Sequence, residues 1–90
     1  MRINVTQQDI DFGKPACGAA CPITLAIKRA IPSALLIMTF TTWMEITHAD
    51  GTYESYNLPP SAKEFIAAYD VSRRILTSDA RPFSFEIEGL

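Results

Sequence analysis

The chain has 90 residues, of which 48% are hydrophobic and 20% are charged, and its formal net charge is −2. This size predicts a single domain over 1–90, and the composition excludes an intrinsically disordered chain. The slightly acidic balance lacks the overall positive charge that is typical of nucleic-acid-binding proteins, although it leaves room for a local basic patch.

The first residues carry no targeting signal. Arg2 is followed by alternating residues and not by the apolar core of a signal peptide. The longest apolar run, 34–38, is far shorter than a membrane span. We therefore expect a soluble, cytosolic protein. In that compartment Cys17 and Cys21 stay reduced, and two cysteines are too few for a disulfide framework.

The N-terminal part predicts a strand, a helical turn and a longer helix. The residues before Thr6 alternate between polar and apolar, as in a short strand. Thr6 and Asp9 fit a capping box for one helical turn, with Gly13 as its left-handed stop. Pro22 then favours the first position of an amphipathic helix, which Pro32 ends.

The stretch 35–46 predicts one long strand, because apolar side chains recur on alternate residues and would share a face. These side chains are Leu36, Met38, Phe40, Met44 and Ile46, with Thr42 filling the gap. The opposite face begins apolar and then turns polar, with Trp43 as the exception. We therefore expect the strand to be covered on both faces in its first half and on one face in its second.

A hairpin and a second helix are predicted next. Asp50 and Gly51 form a favourable turn pair before a return strand over 52–58, which places Tyr53 and Tyr56 on opposite faces. Two prolines stop that strand. The residues Ser61, Ala62, Lys63 and Glu64 fit a capping box for a helix that ends near 71–74.

The chain closes with a polar loop over 77–81 and a last strand over 82–88. Phe83, Phe85 and Ile87 alternate inward, while Glu86 and Glu88 alternate outward. The two glutamates could act as paired acids, but an exposed strand face explains them as well.

The element order is therefore strand, helix, strand, strand, helix, strand. Right-handed connections would place both helices on one face of a four-stranded, mainly antiparallel sheet. The prediction is an α+β two-layer sandwich with βαββαβ order and a ferredoxin-like arrangement. Its central hairpin or a sheet edge would offer a surface for pairing with another chain, including a second copy in a homodimer.

The residues that could bind a ligand or react form three groups. Cys17 and Cys21 have Cys-x-x-x-Cys spacing and could bind a metal with His48, the only histidine. Cys21 could instead be a reactive thiol at a helix N-terminus, and both thiols could simply be small apolar fillers. Arg73 and Arg74 could support single-stranded nucleic-acid binding beside sheet aromatics, or could interact favourably with the end of a helix.

The third group consists of candidate partner-binding residues near the hairpin. Aromatic side chains of this kind are typical anchors of protein interfaces. The group comprises Trp43, Tyr53, Tyr56, Glu45 and Glu54. The chain shows no nucleophile with an adjacent base, no complete metal set and no glycine-rich phosphate loop. We therefore expect a non-enzymatic binding protein without a cofactor.

Three sequence blocks resemble a group of short proteins from bacteriophages and prophages. The blocks are GxxxxxxxCPIxLAI from Gly13, LPPxAxxFI from Leu58, and PFSFE from Pro82. The resemblance extends over nearly the whole chain and implies a phage origin and expression in the bacterial cytoplasm. It also implies an accessory protein that binds and blocks a host protein, including defence machinery such as CRISPR effectors. It implies no catalytic residues.

Overall fold

The computed structural model describes residues 1–74, with side chains as far as Asp70, and residues 81–90. These residues form an α+β fold with three helices and five strands. In chain order the elements are β1 (Arg2–Val5), α1 (Gln7–Phe12), α2 (Pro22–Ala30), β2 (Ala34–Thr39), β3 (Trp43–His48), β4 (Tyr53–Asn57), α3 (Pro60–Arg74) and β5 (Phe83–Glu86). Most of the predicted loop over 77–81 lies outside the described residues, and the described Arg81 is exposed.

The described strands form two antiparallel sheets. One pairs β1 with β5, and the other has the order β2-β3-β4. The expected single four-stranded sheet with two helices on one face, and with it the ferredoxin-like arrangement, is therefore wrong. The cause is an additional strand, because the segment expected to be one long strand folds back on itself and makes a meander with β4.

The long strand predicted over 35–46 is broken by a tight turn at Thr41 and Thr42. The Phe40 N–H donates to the Trp43 carbonyl at 2.7 Å and closes the hairpin between β2 and β3. Paired residues of an antiparallel hairpin share a face, so Phe40 and Trp43 lie on the same side. The alternation therefore reverses its parity at the turn, and Met44 lies on the opposite face from Phe40.

The hairpin between β3 and β4 is confirmed. The His48 N–H donates to the Thr52 carbonyl at 2.9 Å, and the Gly51 N–H donates to the His48 carbonyl at 3.0 Å. Gly51 has φ +90°, the left-handed conformation that glycine adopts without strain. The Asp50–Gly51 pair made this turn predictable from the sequence, whereas Thr41 and Thr42 are not residues that indicate a turn.

The helix starts agree only in part with prediction. Thr6 and Asp9 form the expected reciprocal capping box of α1. Gly13, however, has φ −68° and is not left-handed. Glycine is required there by space, because a Cβ would lie 2.7 Å from both the Asp9 carbonyl oxygen and the Pro22 ring. α2 begins at Pro22 as predicted.

The predicted start of α3 is two residues late, because a cap at Ser61 predicts Ala62 as the first helical residue. The helix begins at Pro60, so Ser61 lies inside the first turn and is not the capping residue. The carbonyl of Pro59 accepts hydrogen bonds from the backbone of Ala62 and Lys63, both at 3.1 Å. The chain therefore enters α3 directly from the two prolines that end β4.

One hydrophobic core joins the two sheets to the helices. The strands contribute alternate residues, and each helix contributes one apolar face, with Tyr69 the largest fully buried side chain. The main contributors are Ile3, Val5, Ile10, Ile23, Ile27, Ile37, Met44, Ile46, Ala62, Ile66, Tyr69, Phe85 and Ile87. None of the helices in the described part of the chain has the length and hydropathy needed to cross a bilayer.

Candidate functional site

The candidate site is the face of the β2-β3-β4 sheet that points away from the core. The described helices contribute their buried side chains to the core on the other side and leave this face uncovered, while the loop at Gly18 lies against Met38 at one edge of it. We call it the outer face. Its residues are Leu36, Met38 and Phe40 from β2 and the following turn, Trp43, Glu45 and Thr47 from β3, and Tyr53, Ser55 and Asn57 from β4.

The strand register arranges these side chains in three rows across the sheet. One row at the hairpin end runs Leu36–Thr47–Tyr53, and the middle row runs Met38–Glu45–Ser55. The third row runs Phe40–Trp43–Asn57. Leu36, Trp43 and Tyr53 are exposed hydrophobic residues, and Tyr53 retains 60% of its accessible surface. The outer face therefore presents large apolar side chains to solvent.

Phe40 and Trp43 form an aromatic pair at one end of the outer face. Their ring centroids are 4.5 Å apart, and the ring planes differ by 19°. The tight turn creates this contact, because it makes the two residues direct cross-strand partners. Stacking restrains both rings, so less side-chain entropy is lost when a partner contacts them.

Glu45 lies at the centre of the outer face, and its carboxylate forms hydrogen bonds with two exposed aromatic residues, Trp43 and Tyr53. The Trp43 indole N–H donates to a Glu45 carboxylate oxygen at 3.1 Å. The hydrogen bond with Glu45 also raises the pKa of the Tyr53 hydroxyl above its ordinary value. The sheet thus offers one oriented carboxylate, half-buried between apolar groups.

The five predicted partner-binding residues do not form one surface. Trp43, Glu45 and Tyr53 share the outer face, whereas Glu54 and Tyr56 lie opposite Ile46 and Met44 on the other face of the sheet. Tyr56 packs against the core, and this burial raises the pKa of its hydroxyl. Strand alternation separates Tyr56 and Glu54 from the other three residues, and it places Tyr53 and Tyr56 on opposite faces as the sequence predicted.

The predicted metal ligands are distant from one another. Gly18, beside Cys17, bonds to the backbone of Thr39 at one end of β2, while His48 pairs with Ala34 at the other end. Five strand residues separate these ends by about 17 Å. Within the described chain, His, Cys, Asp and Glu side chains form no group of three or more that could hold a metal ion.

The three ligand candidates have other surroundings. His48 bonds to Glu54 at 2.8 Å, and this contact holds the pKa of that carboxyl below its usual range. Cys21 precedes α2 and is buried, with its sulfur 3.4 Å from the Thr24 hydroxyl. Cys17 is half-buried and lines a separate cavity of about 310 Å³ with Cys21.

Arg73 and Arg74 belong to the last turn of α3. α3 packs on the core side of the sheet through Ala62 and Ile66. The nine residues of the outer face include one acidic residue and no lysine or arginine. α3, the helix that contains Arg73 and Arg74, therefore packs on the opposite side of the β2-β3-β4 sheet from the open aromatics.

Sequence reasoning missed Leu36, Met38 and Phe40 as part of this site. It placed them with Met44 and Ile46, which are fully buried. The one available signal was Trp43, which disturbed the polar half of the expected strand and in fact marks the reversal of parity. Comparisons of the chain with models of protein families, with curated proteins and with solved structures give no match.

Proposed function

We propose that the protein acts without catalysis, by binding another protein through the outer face. The observation that carries this proposal is the set of exposed apolar side chains Leu36, Trp43 and Tyr53 around the oriented carboxylate of Glu45. Tryptophan and tyrosine at the centre of a surface are enriched among residues that dominate binding energy. Isolated apolar residues on a surface are ordinary, whereas a contiguous apolar patch marks an interaction site.

The partner surface would be apolar with an arginine or lysine near its centre. Glu45 supplies a fixed negative charge among apolar groups, and a guanidinium opposite it could form charge-assisted hydrogen bonds. The same carboxylate would repel the phosphates of a nucleic acid. This charge favours a protein partner over the alternative of single-stranded nucleic acid bound on the sheet.

The resemblance to short phage proteins leads us to propose a host protein as this partner. In that proposal the protein is a phage accessory protein of the bacterial cytoplasm that blocks a host defence component by stoichiometric binding. The open sheet face supports the binding step, and the phage assignment rests on the three sequence blocks alone.

The test combines affinity capture from bacterial lysate with titration of the captured protein against purified variants. Trp43→Ala and Tyr53→Ala should each weaken binding about tenfold or more, which corresponds to about 1.4 kcal/mol or more. The matched control is Phe12→Ala, because Phe12 is 72% exposed but lies on α1. Failure to capture a stoichiometric partner, or equal loss of affinity in all three variants, would contradict the proposal.

A further inference from the structure

A cleft of about 660 Å³ lies between the two sheets and is lined by residues of both β4 and β5. Its floor is formed by the lining residues that belong to the core or pack against it, namely Tyr56, Leu58 and Phe85. Its rim carries Glu86 and Glu88. In the described sheets β4 and β5 each have one neighbouring strand, so each leaves one edge unpaired.

The backbone of β4 presents hydrogen-bonding groups to this cleft. In an antiparallel ladder, residues that bond to the neighbouring strand alternate with residues that point away from it. The Leu58 N–H donates to the Thr42 carbonyl at 3.0 Å, which sets the alternation along β4. Ser55 and Asn57 therefore direct their backbone N–H and C=O groups away from β3, and both line the cleft.

The same reasoning applies to β5. The Ile87 N–H donates to the Met1 carbonyl at 3.0 Å, so Ile87 belongs to the set that bonds toward β1. Glu86 belongs to the alternate set and directs its backbone groups away from β1, and both Glu86 and Glu88 line the cleft. A Cβ on Gly89 would lie 3.5 Å from the Tyr56 ring, so the turn after β5 brings the two sheets together at one end.

The geometry points to strand addition. We propose that an extended segment of a protein partner inserts between β4 and β5 and joins the two sheets into one, with apolar side chains toward the floor and basic side chains toward the rim. A strand occupies about 160 Å³ per residue, from the rise, the strand spacing and the sheet thickness. The cleft volume therefore matches about four residues of added strand.

The negative charge of the rim is the reason that the added strand should carry basic side chains. Glu86 is 3.6 Å from the terminal ammonium of Met1 and 3.9 Å from Arg2, and its side chain remains 59% exposed. Glu88 is exposed and forms no ion pair with any described residue. Lysine or arginine on alternate positions of the added strand would lie beside these carboxylates. This site shares Ser55 and Asn57 with the outer face but uses their backbone groups, so it does not depend on the outer-face side chains for binding.

The test uses a fluorescent peptide of about seven residues in which lysine and valine alternate. Its binding to the full chain, followed by fluorescence anisotropy, should be saturable and should weaken as salt rises. A peptide with glutamate in place of lysine should bind at least tenfold more weakly. N-methylation of either alternate set of peptide amides should weaken binding at least tenfold, because an inserted strand bonds on both sides.

Protein variants separate charge from backbone pairing. Glu88→Gln should weaken binding about two- to fivefold, and Glu64→Gln on α3 should leave binding unchanged. Ser55→Pro removes an outward N–H from an edge strand, where proline is tolerated, and should abolish binding while circular dichroism stays unchanged. Trp43→Ala should not alter peptide binding, so failure of this proposal and failure of the outer-face proposal give different results.

Three outcomes of the peptide experiments would overturn the proposal. One is the absence of saturable binding to the lysine–valine peptide. Another is equal binding of the lysine and glutamate peptides, and the third is binding that is insensitive to N-methylation. Light scattering without peptide tests whether a second copy of the chain occupies the cleft instead. A dimer that becomes monomeric on Ser55→Pro would assign the cleft to that second copy and contradict the proposal.

Discussion

Arg29 and Asp9 form a bidentate ion pair that ties the last turn of α2 to the first turn of α1. The Nη1–Oδ1 distance is 2.7 Å, and the Nη2–Oδ2 distance is 2.8 Å. Asp9 is 5% exposed at its side chain, whereas Arg29 is 50% exposed. The same guanidinium donates to the Asn4 carbonyl at 2.8 Å, so it also covers the outer edge of β1.

We expect Arg29→Ala to lower the free energy of unfolding by about 1–3 kcal/mol, because it leaves a buried carboxylate without its strongest partner. The lower part of this range reflects the solvent that screens the exposed guanidinium. Urea denaturation measures the change. Lys28→Ala is the matched control, since Lys28 is an exposed neighbour on α2, and it should change stability by less than about 0.5 kcal/mol.

The same pair predicts how stability depends on pH. Burial opposes ionisation of Asp9, but hydrogen bonds from Arg29 and Thr6 outweigh it and hold the pKa of Asp9 below its ordinary value of 3.8. A carboxyl whose pKa is lower in the folded state stabilises the fold above its unfolded pKa. That contribution should be lost as pH falls from about 4 through the folded pKa.

Denaturation curves recorded from neutral pH downward measure this loss. Asp9→Asn should be less stable than the wild-type chain at neutral pH, and the difference between them should shrink below about pH 4. A stability difference that stays constant across that range would show that the charge of Asp9 is not the stabilising feature.

Gly13→Ala should destabilise the protein by about 1–3 kcal/mol, because the added Cβ would overlap a backbone carbonyl and a proline ring. The backbone of Gly13 suits any residue, so the cost is steric. Gly51 is the opposite case, with open space around it and φ +90°. Gly51→Ala should cost about 1 kcal/mol and Gly51→Asn less, because asparagine tolerates this conformation. Thermal denaturation of the three variants compares them directly.

Glu45→Gln should lower the pKa of Tyr53 toward the ordinary tyrosine value of 10.0, since the carboxylate of Glu45 is what raises it. Titration of tyrosinate absorbance measures this shift, and Tyr53→Phe identifies the signal. Glu54→Gln is the matched control, because Glu54 lies on the other face and bonds to Tyr56. A Tyr53 titration that Glu45→Gln leaves unchanged would contradict the described geometry of the outer face.

Local patterns predicted the elements whose signals lie within a few residues. The Thr6–Asp9 capping box, the start of α2 at Pro22 and the turn at Gly51 all appear as expected. The alternation of β5 also holds, with Phe85 and Ile87 buried. In each case neighbouring residues alone supply the hydrogen bond, the fixed dihedral angle or the side-chain period.

The candidate site was only half predictable. Trp43, Tyr53 and Glu45 were identified as binding residues, but Leu36 and Phe40 were assigned to the wrong environment. Their true positions depend on a turn with no glycine, asparagine or proline, so the local signal for a long strand prevailed. Pairing between β2 and β3 stabilises that turn, and pairing is a property of two segments together.

The sequence by itself determined the α+β class, the helices, the second hairpin and the alternation of each short strand, because these follow from local propensity and periodicity. Only the tertiary structure decided the division into two sheets, the face on which each aromatic side chain lies, and the ion pair between Arg29 and Asp9. The physical reason is that strand pairing reverses side-chain parity at a turn and joins residues distant in sequence. The pattern of one segment does not contain that information.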